Sequence, residues 1–141
     1  MKLVFDTQPL VSFFKGDNDN VQKLLELVEN SKFEAVFISA VSISELFYIF
    51  SRFRNIELAE IVLNHIKHSG IVIVPVSTDI AEGGGKFKFK YSKEDISLAD
   101  CIIAATASKE NAILVSEDPG YKKIKEITAK NAEEIVKNLL E

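Results

Sequence analysis

The sequence predicts a three-layer α/β/α sandwich around a central, mainly parallel sheet of about five strands. Two observations carry that prediction. Short apolar runs at residues 2–5, 35–38, 71–74 and 112–115 alternate with longer stretches of helical period. Cap and turn signals separate the two kinds of segment, which is the pattern of repeated βα units.

The elements follow in order. The run at residues 2–5 ends at Asp6-Thr7, where an Asx-type turn closes a strand. A polar turn at residues 17–20 precedes a helix in which Val21, Leu24, Leu25 and Val28 keep one face. After the second strand, Ser42-Ile43-Ser44-Glu45 has the form of a capping box, and Ile43, Phe47, Ile49 and Phe50 continue as a helix. Leu58, Ile61, Val62 and Ile66 predict the next helix, which Ser69-Gly70 stops before the third strand. Three glycines at residues 83–85, each costing about 1 kcal/mol in a helix interior, argue against a helix there. The Lys86 to Lys90 alternation of Lys and Phe then reads as an amphipathic strand or a solvated edge. Ser97-Leu98-Ala99-Asp100 is a second capping box, opening a helix ahead of the fourth strand. Asp118-Pro119 pairs an N-cap with a proline at the first helical position. Residues 124–127 read as a short fifth edge strand, and Ala132–Leu140 as a closing helix. No repeat, linker or low-complexity tract divides the chain, so residues 1–141 are expected to form one domain.

Composition narrows the class. The chain is 47% hydrophobic and 27% charged, too apolar for a disordered polyampholyte. One cysteine, Cys101, excludes an internal disulfide framework; it lies in an apolar run and reads as a small buried hydrophobe. The N-terminus is charged too early for a signal peptide and no apolar run approaches the length of a membrane span, so a cytoplasmic protein with no membrane partner is expected. A net charge of −4 argues against attraction to nucleic acid by the whole surface, but not against a local site where cations reverse the sign.

Four acids, Asp6, Glu45, Asp100 and Asp118, fall where an apolar run ends or a helix begins. Each has a structural reading as a cap. Together they carry more, because in a parallel α/β sheet the helices that follow strands start at the strands' carboxyl edge, where such folds place ligands. Carboxylates gathered there repel one another unless cations lie between them. Oxygen ligands with no His or Cys suit magnesium or manganese rather than zinc.

Four blocks in order, residues 3–7, 42–46, 96–107 and 114–118, resemble the PIN-domain ribonucleases, especially the VapC-like toxins of type II toxin-antitoxin pairs. The third block, a serine-led helix start with one acid and an Ile-Ala-Ala-Thr-Ala run, is the most specific. The resemblance implies a parallel-sheet α/β/α fold in which Asp6, Glu45, Asp100 and Asp118 bind Mg2+ or Mn2+ and hydrolyse RNA phosphodiesters. It places Thr7 beside the first acid and Ser116 before the last. It also implies a homodimer and a small antitoxin that inserts a segment near the site. The final block departs from the family in Glu117, which leaves Glu117 and Asp118 both open as the fourth ligand, and in Tyr121, where Phe is common.

Arg52, Arg54, Lys86, Lys88 and Lys90 are candidate RNA phosphate contacts, equally readable as a solvated basic face. Phe47, Tyr48, Phe50 and Phe53 form an aromatic flank for core, dimer or partner docking. His65 and His68 lack further metal ligands nearby, and Gly83 to Lys86 lacks the spacing and hydroxyl of a phosphate loop. A metal-dependent endoribonuclease is therefore the reading. The alternatives are a noncatalytic RNA-binding or scaffold domain of the same fold, expected to have lost an acid, and a phospho-accepting receiver domain, whose acidic pair after the first strand is missing.

Overall fold

A computed structural model describes residues 1–140. The sheet has five strands in the order β3-β2-β1-β4-β5, every neighbouring pair parallel. β1 (Lys2–Phe5) is central, with β2 (Ala35–Ser39) and β3 (Val72–Val74) on one side and β4 (Ile113–Val115) and β5 (Ala129–Lys130) on the other. Strands covered on both faces are apolar along most of their length, which is why β1 to β4 read as apolar runs while the two-residue β5 does not.

The pleat then divides the core. Leu3 and Phe5 point into one cluster with Ile38, Val115, Leu24 and Phe50, while Val4 points into the other with Leu114, Cys101 and Ile103. The first layer is built by α1 (Thr7–Lys15), α2 (Asp19–Glu29), α3 (Ala40–Phe53), α4 (Ile56–Lys67) and α7 (Ala132–Leu140). The second is built by α5 (Thr78–Lys90), α6 (Leu98–Glu110) and a 3-10 turn, Pro119–Lys123.

Several expectations are corrected. Asp6 does not merely close a strand: it is the N-cap of α1, a helix the apolar spacing did not reveal, which stops at Gly16 in the left-handed region (φ 69°). Ser42 to Glu45 is not a capping box, because α3 starts earlier on the Ser39 cap, which leaves Glu45 in the second turn. Residues 124–127 do not form the edge strand. Ile124 and Ile127 donate their N–H groups backward, to Tyr121 and Ile124, and β4 is joined instead by Thr128 and Lys130.

The glycines at residues 83–85 interrupt nothing, since α5 runs through them. A Cβ on Gly84 would stand 2.7 Å from Ile102 Cγ1 and 3.1 Å from Ile102 Cα, so its absence lets α5 and α6 approach closely. That packing offsets a helix propensity cost of about 1 kcal/mol per glycine. The Lys/Phe alternation is accordingly helical, with Phe87 packed on the second cluster and Phe89 exposed.

Candidate functional site

The candidate site lies at the carboxyl edge of the sheet, where α1 follows β1, α3 follows β2 and the 116–118 link follows β4. Asp6 is the first residue past β1. Its N–H extends the ladder to the Val115 carbonyl (2.9 Å), so the backbone is held as in a strand while the side chain caps a helix. Asp6 is only 7% exposed, and its carboxylate receives three donors. Oδ1 accepts the Thr7 N–H (2.8 Å) and the Tyr121 hydroxyl (3.3 Å), and Oδ2 accepts the Ser116 hydroxyl (2.8 Å).

Asp100 arrives from α6, where the predicted capping box is present. Ser97 Oγ accepts the Asp100 N–H (3.1 Å) and Asp100 Oδ2 accepts the Ser97 N–H (3.2 Å). Its other oxygen accepts the Tyr121 hydroxyl at 3.0 Å. One buried phenol therefore bridges Asp6 and Asp100. Glu45 joins from α3, its Oε1 accepting the Thr7 hydroxyl at 2.7 Å.

These contacts explain the electrostatics. Burial raises the Asp6 carboxyl from 3.8 to about 6, and the nearby Asp100 charge adds to the rise. The donors Ser116, Thr7 and Tyr121 oppose it. Burial, followed by the Asp6 and Asp100 charges, pushes the Tyr121 phenol far above its usual range, so it remains a neutral donor.

Asp118 lies at the rim. Its carboxylate caps the 3-10 turn through Gly120 N–H (2.8 Å), and its own N–H donates to Ser116 Oγ (3.0 Å), which in turn donates to Asp6. Glu117 is turned elsewhere, its Oε1 accepting the Ala132 N–H (3.3 Å) at the start of α7. Of the two acids left open by the sequence, Asp118 is the one connected to Asp6 through this chain of hydrogen bonds.

Among the described residues, no three His, Cys, Asp or Glu side chains already stand as a ligand set. The phenol stands between Asp6 and Asp100, and Glu45 faces the Thr7 hydroxyl. The chemistry nevertheless fits a hard divalent cation. The donors are oxygens, and a carboxyl whose proton affinity is raised by burial beside a second acid is one whose ionised form a cation would favour.

The basic candidates are not gathered in the same way. Lys88 donates to the Ile96 carbonyl (2.6 Å), tying α5 to the segment before the Ser97 cap, and Lys90 pairs with Glu126 (3.1 Å). Lys86 is exposed on the same helix. Arg52 reaches Tyr48 (3.4 Å), and Arg54 is nine residues beyond Glu45, roughly 13 Å by helical rise. Arg54 lines an apolar groove of about 740 Å³ with Phe13, Phe14, Phe53 and Ile61. His65 packs edge-on against Phe14 (5.4 Å between centroids) in the same groove, and His68 contacts the Asn64 carbonyl. The residue that the sequence reading did not place in the site is Tyr121, although its hydroxyl in place of the common Phe was the available signal.

Comparison with known families places the chain. The PIN domain matches residues 3–127, and the chain belongs to that family. A VapBC2 complex from Rickettsia felis, bound to a DNA fragment from its promoter, contains a chain similar to this one: 26% identity, TM-score 0.77, with 93% of this chain and 98% of that one covered. A DNA-bound VapBC from Salmonella typhimurium shares the fold at 17% identity (TM-score 0.78; 94% and 98% covered). So does VapC20 of Mycobacterium tuberculosis, a toxin that cleaves the sarcin-ricin loop, at 13% identity (TM-score 0.74; 87% and 95% covered). No curated protein sequence matches the chain.

Proposed function

We propose that the protein is a magnesium- or manganese-dependent endoribonuclease and the toxin of a toxin-antitoxin pair. The observation that carries the reading is the convergence of Asp6, Asp100 and Glu45 at one sheet edge, linked through the Tyr121 and Thr7 hydroxyls. Membership of the PIN family and the likeness to the VapBC2 chain support it.

A divalent cation, when bound, supplies charge neutralisation at the scissile phosphate and an activated water. Asp6, Asp100 and Glu45 are the residues that would hold it, with Asp118 at the rim. Thr7 and Ser116 fix carboxylate orientation by donating to Glu45 and Asp6. The half-buried edge keeps these charges in a medium where electrostatic interactions are stronger than in bulk water. No side-chain nucleophile is required. Cys101, whose thiol is pushed up by burial, stays in the core.

RNA reaches the edge beside α5, where Lys86 and the exposed Phe89 offer a phosphate contact and a stacking face. The antitoxin supplies an apolar segment for the groove between α1, α3 and α4, whose rim carries Lys15 and Arg54. The toxin acts in the cytoplasm as a homodimer, with residues 1–141 as one domain.

The test is cleavage of a structured RNA by purified protein in magnesium or manganese and in chelator. Glu45→Gln and Asp100→Asn should each lose most cleavage while circular dichroism shows a folded chain. Full activity of a folded variant removes that residue from the site, and equal cleavage in chelator ends the metal-dependent reading.

A further inference from the structure

We propose that the Tyr121 hydroxyl, which bridges Asp6 and Asp100, is a placeholder for the divalent cation and yields at least one of those bonds when the cation binds. Tyr121 thereby sets how tightly the site holds metal. The inference rests on the metal-dependent reading above.

The geometry carries it. The hydroxyl oxygen stands 3.0 Å from Asp100 Oδ1 and 3.3 Å from Asp6 Oδ1. Of the other donors, Thr7 reaches Asp6 and Glu45, Ser116 reaches Asp6 and Ser97 reaches Asp100; among the described residues only Tyr121 reaches both Asp6 and Asp100. A phenol has a single hydrogen, so it satisfies one carboxylate fully and turns a lone pair toward the other. A cation would satisfy both at once. Hard divalent ions hold oxygens at about 2.1–2.6 Å, well inside these hydrogen-bond distances, so an ion centred between the two Oδ1 atoms competes with the phenol oxygen for that position. The oxygen has little freedom to step aside. Tyr121 is 2% exposed, and its ring belongs to the cluster of Val4, Cys101, Ile103 and Leu114. Rotation about the C–O bond moves the hydrogen and leaves the oxygen in place. An ion at that position would therefore shift a carboxylate or the 3-10 turn that carries the ring.

Removing the oxygen while keeping the ring should separate the two roles. Tyr121→Phe should lower the melting midpoint in chelator, because the buried Asp6 and the half-buried Asp100 lose the hydroxyl that stands between them. It should bind manganese about tenfold more tightly by titration calorimetry, the order of one hydrogen bond to a charged acceptor. Ser116→Ala is the control: it also removes a donor from Asp6, but from Oδ2 and without a bridge, and should gain no affinity. An independent readout on the unaltered protein is tyrosine ultraviolet absorption. This should shift on magnesium addition as the phenol loses a carboxylate acceptor, and should not shift in Tyr121→Phe. Manganese affinity of Tyr121→Phe equal to or weaker than the parent's overturns the proposal alone. An equal gain in Ser116→Ala does the same, as does an unshifted parent spectrum at saturating magnesium. A parent that binds neither ion overturns the metal-dependent reading and the placeholder with it.

Discussion

Asp6→Asn should make the metal-free protein more stable at neutral pH, although it removes a carboxylate of the candidate site. The Asp6 carboxyl rises from 3.8 to about 6 on folding, chiefly through burial. A raised acid binds its proton more tightly in the folded chain, so its ionisation costs nothing below the unfolded value. The cost grows as pH climbs through the window from about 4 to 6 and is complete above it. At 1.36 kcal/mol per pH unit the full cost is about 3 kcal/mol. Asparagine avoids it and keeps most of the contacts. Its carbonyl can still accept from Thr7, and its amide can donate to the Ser116 oxygen. The assay is urea unfolding of both proteins in chelator at pH 4.5 and 7.5. The stability difference, variant minus parent, should grow by about 2 kcal/mol between those pH values, because every other titrating group is common to both. Manganese should then raise the parent's midpoint and leave the variant's nearly unchanged. A difference that does not vary with pH, or that grows in the opposite direction, refutes the argument that burial beside Asp100 makes this charge costly.

Three further outcomes follow from the packing and the caps. Gly84→Ala should destabilise by about 1–3 kcal/mol, because its Cβ meets Ile102 backbone atoms, whereas Gly85→Ala, with nothing within 4 Å, should stabilise by about 0.5–1 kcal/mol; paired thermal melts decide both. Ser97→Ala removes the acceptor for the Asp100 N–H and should cost about 1 kcal/mol in chemical denaturation. Stripping and restoring manganese should move the parent's thermal midpoint upward with concentration, as linkage requires when an ion binds the folded chain alone, and a midpoint flat to millimolar manganese counts against the site.

What was legible in the sequence is what short range fixes. Strands packed between two helical layers are apolar along most of their length, so β1, β2, β3 and β4 were readable as runs, whereas their order, with β1 between β2 and β4, was not. The Ser97 box and the Asp118-Pro119 cap are contacts across two or three residues, and both formed as read. β5 was misplaced because a strand of two residues carries almost no period. The helix through residues 83–85 was missed because propensity counts the cost of glycine and is blind to the facing helix; only the approach of Ile102 gives that cost a return. The acids could be named from their flanks, but not their relations. Thr7 meets Glu45 across 38 positions and Tyr121 meets Asp6 across 115, distances at which only closure of the whole sheet brings side chains together. Tertiary structure alone decided that Glu117 accepts the Ala132 N–H at the start of α7, that Glu45 answers to Thr7, and that a phenol stands between the two acids. Contacts of that kind depend on which faces are packed, and local sequence does not encode them.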